Sequence, residues 1–210
     1  MTKKGILFDL DGTLWDSTVQ ILPAWNAVLR RKDTGRQLSL PQLRGYMGKN
    51  IEEIGRLMLP DHSAAEAVEI AKQCCREELG YLSESGGTLY PDLLPVLEKL
   101  SQDYLLCIVS NCQEGYIDTF LRVHRLQNYF SDFECFGRTN RRKGENIKEV
   151  IRRNHIPSAL YVGDTEGDCE AALQAGIPFI HAAYGFGSVR VQTLRITAFS
   201  QLPDLVPAIL

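Results

Sequence analysis

The 210-residue sequence lacks any hydrophobic run approaching the ~20 residues that a membrane-spanning helix needs, so no membrane partner is expected. Broad basic character is also missing. The formal net charge is −3, and dense basic runs such as Arg141-Arg142-Lys143 are only three residues long, so no nucleic-acid partner is expected. The six cysteines, at positions 74, 75, 107, 112, 135 and 169, include no Cys-x-x-Cys pair with metal-ligand spacing. Met-Thr-Lys-Lys runs straight into an apolar stretch with no signal peptide between, which makes a cytoplasmic protein with reduced thiols the expectation. Internal repeats and low-complexity segments are absent. What is present is 44% hydrophobic and 23% charged, an ordinary globular composition. The length suits one large domain, or a core with a small second one.

The organising stretch is Gly5 to Ser17. The apolar run Ile6-Leu7-Phe8 suits a strand buried on both faces, and it leads into Asp9-Leu10-Asp11-Gly12-Thr13, where Gly12 marks a turn. Strand ends are where ligands bind in open α/β sheets. Residues two apart share a face, about 6.6 Å apart at about 3.3 Å per residue. Asp9 and Asp11 are therefore placed to serve one small anionic group and a metal, with Leu10 turned into the core. A capped turn is the alternative for an isolated Asp-x-Asp.

Beyond Thr13 the periodicity becomes helical. Asp16 or Ser17 can cap a helix reaching about residue 31, with Pro23 several residues inside it. Further helices are predicted from Ser39 to near residue 45, over 51–59, and over 63–80, where Ala64, Val68, Ala71, Cys75 and Leu79 recur at helical spacing. Residues 15–87 thus read as an all-helical unit without a convincing strand, and Ser83-Glu84-Ser85-Gly86-Gly87 as the link out of it. After Tyr90 strands and helices alternate: strands over 105–109, 133–136, 160–162 and 178–182, helices over 93–100, 114–124, 145–154 and 168–175. Such alternation predicts a Rossmann-like parallel sheet covered by helices. Residues 1–14 and 88–210 form this α/β core, and 15–87 is an insertion.

Three more polar clusters fall at predicted element boundaries. Ser110-Asn111 follows the apolar run Cys107-Ile108-Val109, where the hydroxyl can grip a phosphate oxygen or simply cap the next helix. Lys143 precedes a helix, either as a point charge between a carboxylate and a phosphate or as a solvated lysine. Gly163-Asp164-Thr165-Glu166-Gly167-Asp168 places Asp164 at a strand end and Asp168 at a helix start, where it can also be a plain N-cap. Two carboxylate clusters at strand ends suggest a hard cation, and oxygen ligands favour Mg²⁺ over Zn²⁺.

Taken together and in this order, Phe8 to Thr13, Ser110-Asn111, Lys143 and Gly-Asp-x-x-x-Asp resemble the four motifs of the haloacid dehalogenase-like hydrolase superfamily. The likeness is to its phosphatases, in the phosphoglycolate phosphatase-like branch, and spans nearly the whole chain. The resemblance implies Mg²⁺-dependent hydrolysis of a small phosphorylated metabolite through an aspartyl-phosphate. It implies Asp9 as nucleophile, Asp11 as acid and base, and Lys143 orienting Asp9. Gly12, Thr13, Ser110 and Asn111 then surround the phosphoryl group, and Asp9, Asp11 (through its carbonyl), Asp164 and Asp168 serve the metal. It further implies that 15–87 is a cap, hinged near Trp15 and Asp16, whose loop carries Arg44 and Lys49 toward the leaving group.

Within the superfamily, Asp11 argues against dehalogenases and phosphonate hydrolases. A β-phosphoglucomutase-like phosphoryl transfer is the alternative, since Ala24-Trp25 and Arg44-Gly45 resemble that branch too, although Ile21 stands where its cap histidine belongs. A pyrophosphatase or nucleotide phosphatase stays open. From other classes, a phospho-receiver-like domain is opposed by the helical insertion, and a non-catalytic binding protein by the full set of motif residues. A monomer or homodimer is expected. Gly185-Phe186-Gly187 borders the site without an assigned role.

Overall fold

The computed structural model describes residues 3–210. The chain opens with β1 (Gly5–Phe8) and a two-residue β2 (Trp15–Asp16), followed by helices α1 (Thr18–Arg31), α2 (Leu40–Arg44), α3 (Ile51–Met58) and α4 (Ala64–Ser85). β3 (Thr88–Leu89) leads back to an alternating region of α5 (Leu93–Asp103), β4 (Leu105–Ser110), α6 (Tyr116–His124), β5 (Phe130–Cys135), α7 (Phe136–Thr139), α8 (Lys143–Arg153), β6 (Ala159–Gly163), α9 (Glu166–Ala175) and β7 (Phe179–Ala182). β8 (Leu194–Ile196), a 3-10 turn at Phe199–Gln201 and α10 (Leu202–Ile209) complete it.

Six strands form one sheet in the order β5-β4-β1-β6-β7-β8, with every neighbouring pair parallel. This is the expected Rossmann-like α/β core. β1 lies at its centre because its four residues are fully buried and can be covered on both faces. Leu7 pairs with Cys107 on one side and Tyr161 on the other. Alternation along the strand divides the core. Ile6 and Phe8 join the cluster that holds Leu97, Phe120 and Phe199, while Leu7 joins Val109, Ile147, Val150 and Tyr161. No helix among the described residues is long and apolar enough to cross a membrane.

Helices α1 to α4 form the insertion, with α1 and α3 packed on α4. It is not strand-free at its margins: β2 pairs antiparallel with β3, Trp15 opposite Leu89, so a small ribbon joins insertion to core. Two residues per strand are too few for a period-2 signal. α4 runs past Gly80 to Ser85, because an exposed glycine interrupts nothing that packs, whereas Gly86, at φ +65°, ends the helix. The link is therefore Gly86-Gly87 rather than a five-residue segment. β5 begins at Phe130, earlier than expected, since Ser131 and Asp132 are polar, yet Phe130 and Asp132 both pair with β4 while Ser131 is skipped at a register shift. β8 and α10 went unpredicted, the strand because it is a three-residue edge. α1 continues through Pro23 without ending. Its first amide is held by Asp16 Oδ1 (2.9 Å) rather than by Ser17, whose hydroxyl turns elsewhere.

Candidate active site

The C-terminal ends of β1, β4 and β6 converge with the start of α8. Asp9 continues β1 by one bond, its amide donating to Val162 O at 2.8 Å, so its side chain leaves the sheet at a fixed point. Lys143, the first residue of α8, reaches back with its ammonium between Asp9 Oδ1 (2.9 Å) and Asp168 Oδ1 (2.6 Å). All three are buried, at 5% exposure or less. Asp9, Asp164 and Asp168 each bring a carboxylate oxygen within 4.8 Å of the others. The sequence-predicted residues Asp9, Lys143, Asp164 and Asp168 therefore meet in one buried cluster.

The electrostatics of that cluster are unbalanced. Three carboxylates face one ammonium. Burial, then Asp168, pushes Asp9 up to about 7 against the pull of Lys143. Burial, then Asp168 and Asp9, holds Asp164 well above the usual carboxylate range. Burial works against the charge on Lys143, yet Asp168 and Asp9 together raise it above an ordinary lysine, so it stays charged. Asp168 is fully engaged, with Oδ2 accepting from the Thr165 amide (3.0 Å) and hydroxyl (2.6 Å). Asp164 Oδ2 accepts from the amides of Phe186 (2.8 Å) and Gly187 (3.2 Å). Asp9 Oδ2 and Asp164 Oδ1 are left buried without a hydrogen-bond partner. Orphaned buried anionic oxygens are costly unless a cation meets them. Two such oxygens in an oxygen-only donor set fit a divalent hard cation that keeps several waters, the coordination habit of Mg²⁺.

Asp11 stands apart from this cluster. Its Oδ1 accepts from Trp15 Nε1 (3.0 Å), Ser17 Oγ (2.9 Å) and Tyr116 Oη (2.8 Å). Burial raises it to about 6 even against those three donors. A carboxyl held near neutrality can give and take a proton. Its side chain does not belong with the acidic triad, so a metal role for Asp11 would fall to its backbone carbonyl.

The other candidate residues divide. Gly12 sits at φ +83°, where a Cβ would come within 2.2 Å of Asp164 Oδ2, so the turn can seat only glycine. Its amide already donates to Trp15 O (2.9 Å). The Thr13 hydroxyl is buried and unpartnered, while its carbonyl accepts from Tyr184 Oη (2.8 Å). Ser110 is buried at the end of β4. The Asn111 amide Nδ2 donates to Gly48 O (2.9 Å), tying the core to the loop of the insertion. Lys49, on that loop, is half-buried. Arg44 is committed elsewhere: it pairs with Asp16 Oδ2 (2.7 Å), donates to Thr18 Oγ1 (3.3 Å) and lies 5.7 Å from the centre of the Phe186 ring.

Two groups escaped sequence reasoning. The donors on Asp11 include Tyr116, which no local pattern could link to a residue 105 positions away. The loop Gly185-Phe186-Gly187 carried a signal, its glycines, without a role. The structure supplies one, since its amides orient Asp164 and Gly185 packs against the Gly12 carbonyl.

The haloacid dehalogenase-like hydrolase family matches this chain over residues 6–182. Among similar proteins, the phosphoglycolate phosphatase of Aquifex aeolicus is 31% identical, over 96% of this chain and 94% of its own. That of Rhodobacter capsulatus is 29% identical, over 96% and 95%. Among solved structures, a haloacid dehalogenase-like family hydrolase from Streptococcus pneumoniae superposes with TM-score 0.79 at 22% identity, covering 97% of this chain and 99% of that one. A predicted phosphoglycolate phosphatase from Haemophilus somnus gives TM-score 0.83 at 21% identity, covering 98% and 99%. The structural likenesses speak for the fold. The family match over most of the length and the likeness to the Aquifex protein place this chain in the haloacid dehalogenase-like hydrolase family.

Proposed function

We propose that this hydrolase is a Mg²⁺-dependent phosphatase that cleaves a small phosphomonoester through an aspartyl-phosphate on Asp9. The observation that carries the reading is the buried cluster at the strand ends, where Lys143 holds Asp9 Oδ1 while Asp9 Oδ2 and Asp164 Oδ1 have no partner. Phosphoglycolate, the substrate named for the relatives, is the reference compound.

Asp9 attacks phosphorus, forming the Asp9 O–P bond as the P–O bond to the alcohol breaks. The electron pair goes to the leaving oxygen, which takes the proton of Asp11. Asp11, now a carboxylate steadied by Trp15, Ser17 and Tyr116, takes a proton from water as that water attacks phosphorus. The acyl-phosphate bond breaks, phosphate leaves and Asp9 is restored. Lys143 fixes the attacking carboxylate and balances charge as the phosphoryl group arrives. Ser110 and the free Thr13 hydroxyl are placed to donate to its oxygens. Asp9 and Asp164, with the Asp11 carbonyl, would hold Mg²⁺, and Asp168 positions Lys143. When bound, the ion offsets repulsion between the Asp9 carboxylate and the phosphate. The insertion serves as the cap that excludes water during the reaction.

Acid quench during turnover, followed by mass spectrometry of the peptide bearing Asp9, tests the covalent step. A phosphoryl adduct on Asp9 is expected. Turnover with no adduct on any carboxylate, and phosphate released by direct water attack, would contradict it.

A further inference from the structure

Two cavities meet at the boundary of cap and core, and their chemistry differs. One, of about 610 Å³, is polar and is lined by Arg44, Lys143, Glu166 and Arg190 among others. The second, of about 370 Å³, is lined by both Asp11 and Ser110, which the first is not. The acid that protonates the leaving oxygen must lie beside it. The leaving group therefore extends into the cavity that Asp11 faces.

The walls of that chamber are mostly apolar. Ile21, Trp25, Ile54 and Leu79 come from the insertion, and Tyr116 and Phe136 from the core. Its cations lie at the edge: Lys72 and Arg76 are exposed, Arg76 paired with Glu69, and Lys49 is half-buried on the border with the polar cavity. The buried ionisable group of the cap on this wall is an acid, Glu78, at 3% exposure. Its carboxyl accepts from Trp25 Nε1 and from Gln113 Nε2 (2.6 Å), joining two cap helices to the loop after β4. Burial lifts it to about 8, so it is largely uncharged near neutrality. A carboxylate in this chamber would lose its hydration with no buried cation to meet it. An uncharged alcohol with an apolar body would bury that surface favourably. A cavity near 370 Å³ lies in the range of sites that enclose whole small ligands. A two-carbon acid leaves most of it unfilled.

We propose that the preferred substrates are phosphate monoesters of uncharged, largely apolar alcohols of aromatic-ring size or larger, whose bodies fill the chamber bounded by Trp25, Ile54, Leu79 and Tyr116. This rests on the phosphatase reading above and goes beyond it by naming the alcohol.

The test is kcat/KM with Mg²⁺ for phenethyl phosphate, ethyl phosphate and phosphoglycolate, alkyl esters of comparable chemistry. It is run on the wild type and on Leu79→Trp, which fills part of the chamber. The wild type is expected to favour phenethyl phosphate over both others by about tenfold or more. Leu79→Trp is expected to remove that preference, lowering kcat/KM for phenethyl phosphate by about tenfold more than for ethyl phosphate. Release led by phosphoglycolate, or a Leu79→Trp loss equal for all three esters, would overturn the chamber assignment and leave the phosphatase reading standing. Release from none of the esters, nor from pyrophosphate or nucleotides, would overturn the phosphatase reading itself. The wild-type ranking decides the matter even should Leu79→Trp fold poorly.

Discussion

Replacing Lys143 by Met removes the one ammonium from the buried cluster and keeps most of the side-chain volume. In the native arrangement the ammonium contacts Asp9 Oδ1 at 2.9 Å and Asp168 Oδ1 at 2.6 Å, with Asp164 close by. Without it three carboxylates face one another with no protein cation among them. Breaking a buried pair by removing one partner costs about 3–5 kcal/mol, because the remaining charge is stranded. For a chain of this size that is a fall in Tm of roughly 6–20 °C. The assay is urea unfolding at pH 8, above the value of about 7 that burial gives Asp9, so that proton uptake does not mask the loss. Mg²⁺ that binds only the folded state adds about 2.7 kcal/mol at a hundred times its Kd. The ion is expected to stabilise the wild type and to recover part of the loss in Lys143→Met. A variant within about 1 kcal/mol of wild type, with Mg²⁺ shifting neither protein, would refute the picture of an under-neutralised cluster.

Asp9→Asn is expected to fold normally, by circular dichroism, and to retain less than roughly 1% of wild-type turnover on its best ester, since no amide can replace the attacking carboxylate. Gly185→Ala would set a Cβ 2.3 Å from the Gly12 carbonyl and 2.4 Å from Asp164 Cβ, so it should displace the loop that orients Asp164. The expected result is weakened Mg²⁺ binding by calorimetry and a loss of about 1–3 kcal/mol in urea. Glu78→Gln tests the buried acid of α4. The folded-state value of about 8 lies above the ordinary 4.5, so the proton stabilises the fold fully below that lower value and is lost as pH rises through about 8. Wild-type stability relative to Glu78→Gln should therefore fall by about 1.4 kcal/mol per pH unit between pH 5 and 8. A difference independent of pH would contradict a raised Glu78.

Much of the core was legible because its strands are fully buried and short. Ile6-Leu7-Phe8 and Leu160-Tyr161-Val162 are unbroken apolar runs, the first followed directly by Asp9 and the second by Gly163 and Asp164, and a buried strand suits both. The ribbon of Trp15–Asp16 with Thr88–Leu89 was illegible, since two residues carry no period and their partners lie on the far side of the insertion. The convergence of Asp9, Lys143, Asp164 and Asp168 follows from strand order, which places β1 next to both β4 and β6. The surroundings of Asp11 do not follow from any local pattern. Its three donors are Trp15 in β2, Ser17 just before α1 and Tyr116 in α6, and only the tertiary fold brings Tyr116 to the other two. Arg44 shows the opposite limit. The resemblance pointed Arg44 toward the leaving group, but in the structure its guanidinium pairs with the Asp16 carboxylate.

The most direct measurement is phosphate release by the purified protein from a panel of small phosphomonoesters, pyrophosphate and nucleotides, with Mg²⁺ and again with a chelator in excess. The account predicts release from phosphomonoesters that stops on chelation and returns with added Mg²⁺. Release unaffected by the chelator, or none from any compound with Mg²⁺ present, would contradict it.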